Sequence, residues 1–329
     1  MVIEDKLREN AALYPDKVAL VCGEKSLTYR QLYQAIKDKA DSMGDIRGCL
    51  IPIVAYSTVD FFITYFALHL TGAVAVPLHK DIPAKKLNDY AETLEQGIVP
   101  EEVADILFTT GTTGNAKAVM ISYQTIIANA ENLVLSQGFS HDVTFIINGP
   151  LNHIGSLSKV YPTIYVGGTI HVIDGMKDIK AFFTAIDDAP NKVATFLVPA
   201  AIRILITLWK KELIAVADKI DFVETGAAPL AATDMKLFCE LLPHSRLYNT
   251  YASTETGIIS TYDYNDGANL AGCVGHKMKH SSFFITADGY VACKGKTLMT
   301  GYWNDEEATR NVLKDGVIRT ADLGRIDEK

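Results

Sequence analysis

No two cysteines in this 329-residue chain are spaced C-x-x-C. The five thiols (Cys22, Cys49, Cys239, Cys273, Cys293) make neither a zinc framework nor an even disulfide set, so reduced thiols are expected. Positive charge is scarce as well: 31 Lys and Arg against 39 Asp and Glu leave a net charge of −8. That excludes the global basic field of a dedicated nucleic-acid binder, so no nucleic-acid partner is expected. Long apolar runs are missing too. The most hydrophobic stretch, 61–78, is interrupted by Thr64, Tyr65, His69, Thr71 and Gly72 and reads as a helix followed by a strand, not a membrane span. The first residues lack the basic-then-apolar layout of a signal peptide, which points to a cytoplasmic protein. Neither a Walker A loop nor a G-x-G-x-x-G fingerprint occurs.

What is present is an ordinary globular composition, 48% apolar and 21% charged, in a chain long enough to bury a core without staples. From 106 to 248, short β-branched runs alternate with amphipathic stretches. Helices are expected near 124–136, 155–166, 179–186, 201–211 and 232–242, with strands between them, as in stacked βαβ units. After about residue 261, Gly and Asp turns such as 287–290 and 314–316 separate short strands, which suggests antiparallel structure. The fold class expected is α/β: parallel-rich sheets stacked with helices between them over about 1–260, and a smaller antiparallel β-rich part over about 261–329.

Between two apolar strands lies Thr109-Thr110-Gly111-Thr112-Thr113-Gly114-Asn115-Ala116-Lys117. Two glycines allow the backbone to turn tightly and present N–H groups, while four threonine hydroxyls and a lysine add donors. Such a loop suits phosphate oxygens, although by composition it could also be a plain polar turn.

The run resembles the T-S-G-T-T-G-x-P-K-G signature of adenylate-forming enzymes, the family of acyl- and aryl-CoA synthetases. Three further motifs follow in the family's order. Gly226-Ala227-Ala228-Pro229-Leu230 is similar to G-G-A-P-L. Asn249-Thr250-Tyr251-Ala252-Ser253-Thr254-Glu255 is similar to N-x-Y-G-x-T-E. Gly301-Tyr302-Trp303-Asn304 with Arg319-Thr320-Ala321-Asp322 matches the G-Y-W-N and R-T-G-D pair. The resemblance implies ATP-dependent activation of a carboxylic acid as an acyl-adenylate, then transfer to a thiol. It implies ATP and Mg²⁺, with coenzyme A or a pantetheine thiol as co-substrate, and a small-molecule acid, with an acyl carrier protein as an alternative acceptor.

By the same resemblance, Thr109, Thr110, Gly111, Thr112, Thr113 and Gly114 cradle the β- and γ-phosphates, and Lys117 adds a cation. Thr254 meets the α-phosphate and Glu255 holds the metal. Gly226, Ala227, Ala228, Asn249 and Tyr251 surround adenine, and Asp322 accepts from the ribose. His153, at the P-x-x-H position, stands beside the acyl pocket. Ile154 replaces the aspartate that peptide-synthetase domains use for an α-ammonium, so an amino-acid substrate is not expected. Gly155, Ser156, Ala200, Ala227 and Ala228 suggest an apolar, uncharged acyl pocket.

Three departures from the family pattern stand out. Alanines replace a motif proline at 116 and motif glycines at 118, 252 and 321, which is costly only where φ is positive. A single helix, near 84–94, separates Leu78 from the phosphate loop, so the first sheet is expected to be shortened. The chain stops at Lys329, where the family continues into a mobile lid domain that carries a lysine. Low activity of this chain alone is the expectation. A non-catalytic acyl- or nucleotide-binding relative and a carrier-protein-loading ligase are the alternative readings.

Overall fold

The computed structural model describes residues 2–94, 99–109 and 116–327. Helix α1 (Ile3–Leu13) leads into the hairpin β1 (Val18–Cys22) and β2 (Lys25–Thr28), then α2 (Tyr29–Ser42). A capping box starts α2: Thr28 accepts from the Gln31 backbone and Gln31 reaches back to the Thr28 N–H. Next come β3 (Leu50–Val54), α3 (Val59–Thr71), β4 (Val74–Leu78), α4 (Ala84–Leu94), β5 (Val103–Thr109) and β6 (Lys117–Ser122). Gly72 ends α3 in the left-handed conformation at φ 74°, so the chain reverses straight into β4.

The alternating middle follows, with α5 (Tyr123–Gln137), β7 (Thr144–Ile147), α6 (Ile154–Tyr165), β8 (Thr169–Val172), α7 (Ile179–Asp188), β9 (Val193–Phe196), α8 (Pro199–Leu208) and α9 (Lys210–Ala215). It continues through β10 (Ile220–Thr225), α10 (Ala232–Leu241), β11 (Arg246–Ser253) and β12 (Gly257–Asp263). The last part holds β13 (Ser281–Ile285), β14 (Tyr290–Gly295), β15 (Gly301–Tyr302), α11 (Glu306–Val312), β16 (Leu313–Lys314) and β17 (Val317–Leu323).

Three sheets result. The eight-stranded sheet runs β12-β11-β10-β9-β7-β8-β1-β2, the five-stranded one β15-β6-β5-β4-β3, and the four-stranded one β13-β14-β17-β16. In the largest, the neighbours from β11 through to β1 are parallel, and β2 and β12 close the two edges antiparallel. Helices α3, α5 and α6 lie between the two larger sheets. Their Phe62, Tyr65, Phe66, Leu133, Leu157 and Tyr161 share one core with Phe145 and Ile147 of β7 and Leu107 of β5. A second core under α7, α8 and α10 covers the other face of the large sheet.

The mixed architecture expected from the sequence is thus observed, with two refinements. β11 runs on through Ser253, five residues past the strand end expected at Tyr248, because it pairs with β12 as a hairpin. The Gly301-Tyr302 pair leaves the small sheet and joins β6, opposite Met120 and Val119. Among the described residues, α4 is, as expected, the one helix between β4 and β5, and those two strands pair directly at Ala75 and Asp105.

Candidate active site

The strands β5 and β6 are antiparallel neighbours, and Thr109 pairs with Lys117 at their open end. The residues between them that matter to the expectation (Thr110, Gly111, Thr112, Thr113 and Gly114) lie outside the described residues. Thr109 and Ala116, flanking that stretch, line a cavity of about 360 Å³ together with His79, Asn152 and His153. His153 is the N-cap of α6, with extended backbone (φ −110°, ψ 139°). Burial, and secondarily the neighbouring His79, lowers its pKa, so the ring is neutral at pH 7.

Lys117 projects over the Tyr302 ring, its Nζ 4.6 Å from the centroid. The Tyr302 hydroxyl donates to Glu255 Oε1 at 3.0 Å, and the Met299 N–H donates to the Glu255 carbonyl at 2.8 Å. Burial and the adjacent Glu255 carboxylate push the Tyr302 pKa well up, which keeps its proton available to donate. Three elements distant in sequence are therefore linked: the open end of β5–β6, β15, and the β11–β12 turn that carries Thr254 and Glu255. That turn is held by Ser253 and Thr256, each side-chain oxygen accepting from the other's N–H at about 3 Å.

Along β11 the remaining residues spread in order. The Asn249 amide donates to the Cys273 carbonyl at 2.9 Å. The Tyr251 hydroxyl donates to Asp322 Oδ2 at 2.6 Å, and Thr320 lies 3.3 Å from the same hydroxyl. Burial first, and the Asp322 bond second, raise the Tyr251 pKa. Gly226 faces the same strand: a Cβ there would meet the Thr250 carbonyl oxygen at 2.8 Å, so a side chain is excluded. Ala227 follows with φ 65°, while Ala116, Ala118, Ala252 and Ala321 all avoid positive φ. Ala227 and Ala228 are exposed.

Among the described residues, Glu255 is the carboxylate a metal would find here. Among the described residues no group of three or more His, Cys, Asp or Glu gathers into a cage. A single carboxylate with one oxygen fixed by Tyr302 is nonetheless the kind of donor Mg²⁺ takes when substrate phosphates complete its shell. The residues present fit that ion.

Phe196 lies between Gly155 and Gly226: Cβ atoms at those glycines would lie 3.9 Å and 3.7 Å from its ring. Beneath this ring lies a buried charged pair that the sequence reading did not single out. Lys159 Nζ lies 5.6 Å from the Phe196 centroid and donates to Glu224 Oε1 at 2.7 Å. Lys159 stands four residues beyond Gly155, one helical turn on. That spacing, with an acidic residue inside the β-branched run of β10, was the available signal.

The AMP-binding enzyme family matches residues 7–96 and 88–303. The chain belongs to that family. It is 26% identical to indoleacetate–CoA ligase of Aromatoleum aromaticum, covering 99% of this chain and 76% of that protein. It is 24% identical to 2-succinylbenzoate–CoA ligase of Bacillus cereus, covering 98% and 76%. The family member thus spans about three quarters of the length of these relatives, which are acid–thiol ligases. Its fold is that of the N-terminal domain of FACL13 from Mycobacterium tuberculosis (TM-score 0.88, 20% identity, 99% of this chain and 97% of that one). It likewise overlays ATP-bound MatB from Rhodopseudomonas palustris (TM-score 0.86, 21% identity, 100% and 77%). Among the described residues, no helix of this AMP-binding chain is long and apolar enough to cross a membrane.

Proposed function

We propose that the chain binds ATP with Mg²⁺ and activates a small carboxylic acid as its acyl-adenylate, for transfer to the thiol of coenzyme A or of a carrier-protein pantetheine. It acts in the cytoplasm. The observation that carries this reading is the Lys117–Tyr302–Glu255 connection, which joins the open end of β5–β6 to the distant β11–β12 turn.

In the reaction a carboxylate oxygen bonds to the α-phosphorus, the bond from that phosphorus to the β-bridging oxygen breaks, and pyrophosphate leaves. Two anions must approach, so the task is charge stabilisation and alignment. Lys117 offsets phosphate charge at the open end of β5–β6, with Thr109 beside it. Thr254 donates toward the α-phosphate from the β11–β12 turn. Glu255, oriented by Tyr302, is the residue that would hold Mg²⁺, and the ion when bound neutralises phosphate charge. Tyr251 offers adenine a face beside Gly226, Ala227, Ala228 and Asn249. The Asp322 carboxylate, already accepting from Tyr251, has a second oxygen for the ribose hydroxyls. His153, neutral at pH 7, places no charge in the path of the incoming acid.

Carboxylate-dependent exchange of pyrophosphate into ATP, over a panel of acids, tests the activity, with nucleotide-induced thermal stabilisation as the binding readout. Exchange with at least one acid is expected. No thermal shift at millimolar Mg·ATP overturns the proposal.

A further inference from the structure

A cavity of about 590 Å³ opens where β4 and β5 begin, at the opposite end of those strands from Thr109. Glu4 and His69 stand in its wall. Glu4 is 4% exposed, its Oε1 lies 2.6 Å from His69 Nδ1, and its Oε2 is buried with no hydrogen-bond partner among the described residues. His69 Nε2 in turn lies 3.0 Å from Asp105 Oδ1, and Asp105 Oδ2 accepts from Tyr65 at 2.8 Å. With a carboxylate against each ring nitrogen, the histidine donates from both and is an imidazolium. Two carboxylates and one imidazolium leave one negative charge and one open acceptor. The N-terminus of α1 favours that charge but supplies no donor to Oε2.

The rest of the wall narrows the class of ligand. Leu70, Val74, Val99 and Val103 make it apolar. Arg47 and Glu101, also in the wall, lie 3.9 Å apart with side chains 72% and 91% exposed, so their charges are solvated and cancel. A water molecule would satisfy Oε2 but leave the buried charge unbalanced. A bare metal cation takes several oxygens, and no group of three or more metal-ligating side chains is found among the described residues. A quaternary ammonium brings charge without a donor, and Tyr123 alone makes no aromatic cage for it. A protonated primary amine meets both demands, with an alkyl body for the apolar wall.

We propose that this cavity is a second binding site, for a small aliphatic primary amine whose ammonium donates to Glu4 Oε2. Binding sets two cations against two carboxylates and so neutralises the cluster. The other ammonium protons face the open cavity and water. Through His69 and Asp105 the amine is connected to β5, whose far end at Thr109 is a strand's length away, about 20 Å for seven residues. The site goes beyond the adenylation reading and stands or falls without it.

The test is calorimetric titration of the chain with isobutylamine, isobutanol and tetramethylammonium chloride at constant pH and ionic strength. Phosphate is the buffer, because Tris is itself a primary amine. The three probes offer a charge with donors, a donor without charge, and a charge without donors. Isobutylamine is expected to bind saturably and about tenfold tighter than either of the others, as one hydrogen bond to a charged acceptor allows. Glu4→Gln keeps the volume, removes the charge and should abolish that preference. Because Glu4 also holds His69, a second variant leaves the cluster alone. Leu70→Trp, at a partly exposed position of the wall, fills the cavity and should abolish isobutylamine binding with little change in melting temperature. Isobutylamine binding no tighter than isobutanol means a merely apolar cleft, and no tighter than tetramethylammonium means attraction of charge alone. Either result overturns the proposal, as does no saturable binding of isobutylamine, or binding that persists in Leu70→Trp.

Discussion

Ala227 carries left-handed backbone at φ 65°, where an L side chain costs about 1–2 kcal/mol relative to glycine. Its turn is pinned on one side by Gly226 against the Thr250 carbonyl and on the other by Pro229, so the strain stays where the adenine wall is proposed. Ala227→Gly relieves the strain but loosens the unfolded chain, and a net gain of about 0.5 kcal/mol is expected in urea denaturation. Ala252→Gly, within β11 and at negative φ, should instead lose about 0.5–1 kcal/mol. Equal signs for the two changes would contradict this account. The identity of the motif residues was legible in the sequence, but the sign of φ was not. Alanine stands at five motif positions in place of glycine or proline or beside them, and only the path of the chain decides which one is strained.

Between elements, the informative contact is that of β15 with the β11–β12 turn. A two-residue strand has no local signature, so its pairing with β6 could not be read from Gly301-Tyr302 alone; α5, α6, α7, α8 and α10 could be placed from their apolar spacing, but the helix expected over 201–211 ends at Leu208 and the six-residue α9 after it was not foreseen. That pairing delivers the Tyr302 hydroxyl to Glu255 Oε1 at 3.0 Å and its ring to Lys117. Tyr302→Phe keeps the ring and the stacking lysine and removes only the hydrogen bond that orients the carboxylate. Loss of such an outer partner typically weakens a metal site 10–100-fold. The Mg²⁺ concentration for half-maximal pyrophosphate exchange should therefore rise about tenfold, with stability changed by about 1 kcal/mol or less. An unchanged Mg²⁺ requirement would remove Glu255 from the metal role.

Across the whole molecule, one buried polar cluster ties the layers together. His69 of α3 sits between Glu4 of α1 at 2.6 Å and Asp105 of β5 at 3.0 Å. The hydroxyls of Tyr65 and Tyr161 lie 2.8 Å apart, with Tyr65 donating to Asp105, and Tyr123 donates to the His69 carbonyl. This joins α1, α3, β5 and α6 between the two large sheets, beneath the strand that ends at Thr109 and the helix that begins after His153. The sequence showed only isolated polar letters in apolar stretches, because partners 36 to 96 residues apart leave no spacing pattern. Burial alone would lower the His69 pKa, but Asp105 and Glu4 outweigh it and raise it from 6.5 to about 10. A raised folded pKa means that the folded state binds the extra proton. The cluster's contribution is then complete below pH 6.5 and is lost as pH rises through about 10. Replacing the imidazolium in His69→Gln leaves two buried carboxylates facing an uncharged amide, at a cost of about 3 kcal/mol near neutrality. The gap between parent and variant should narrow as pH climbs from 7 to 10 in denaturant titrations at each pH. A gap that stays constant over that range would mean that His69 is neutral in the folded chain, and the two sheets would then be joined by packing rather than by charge.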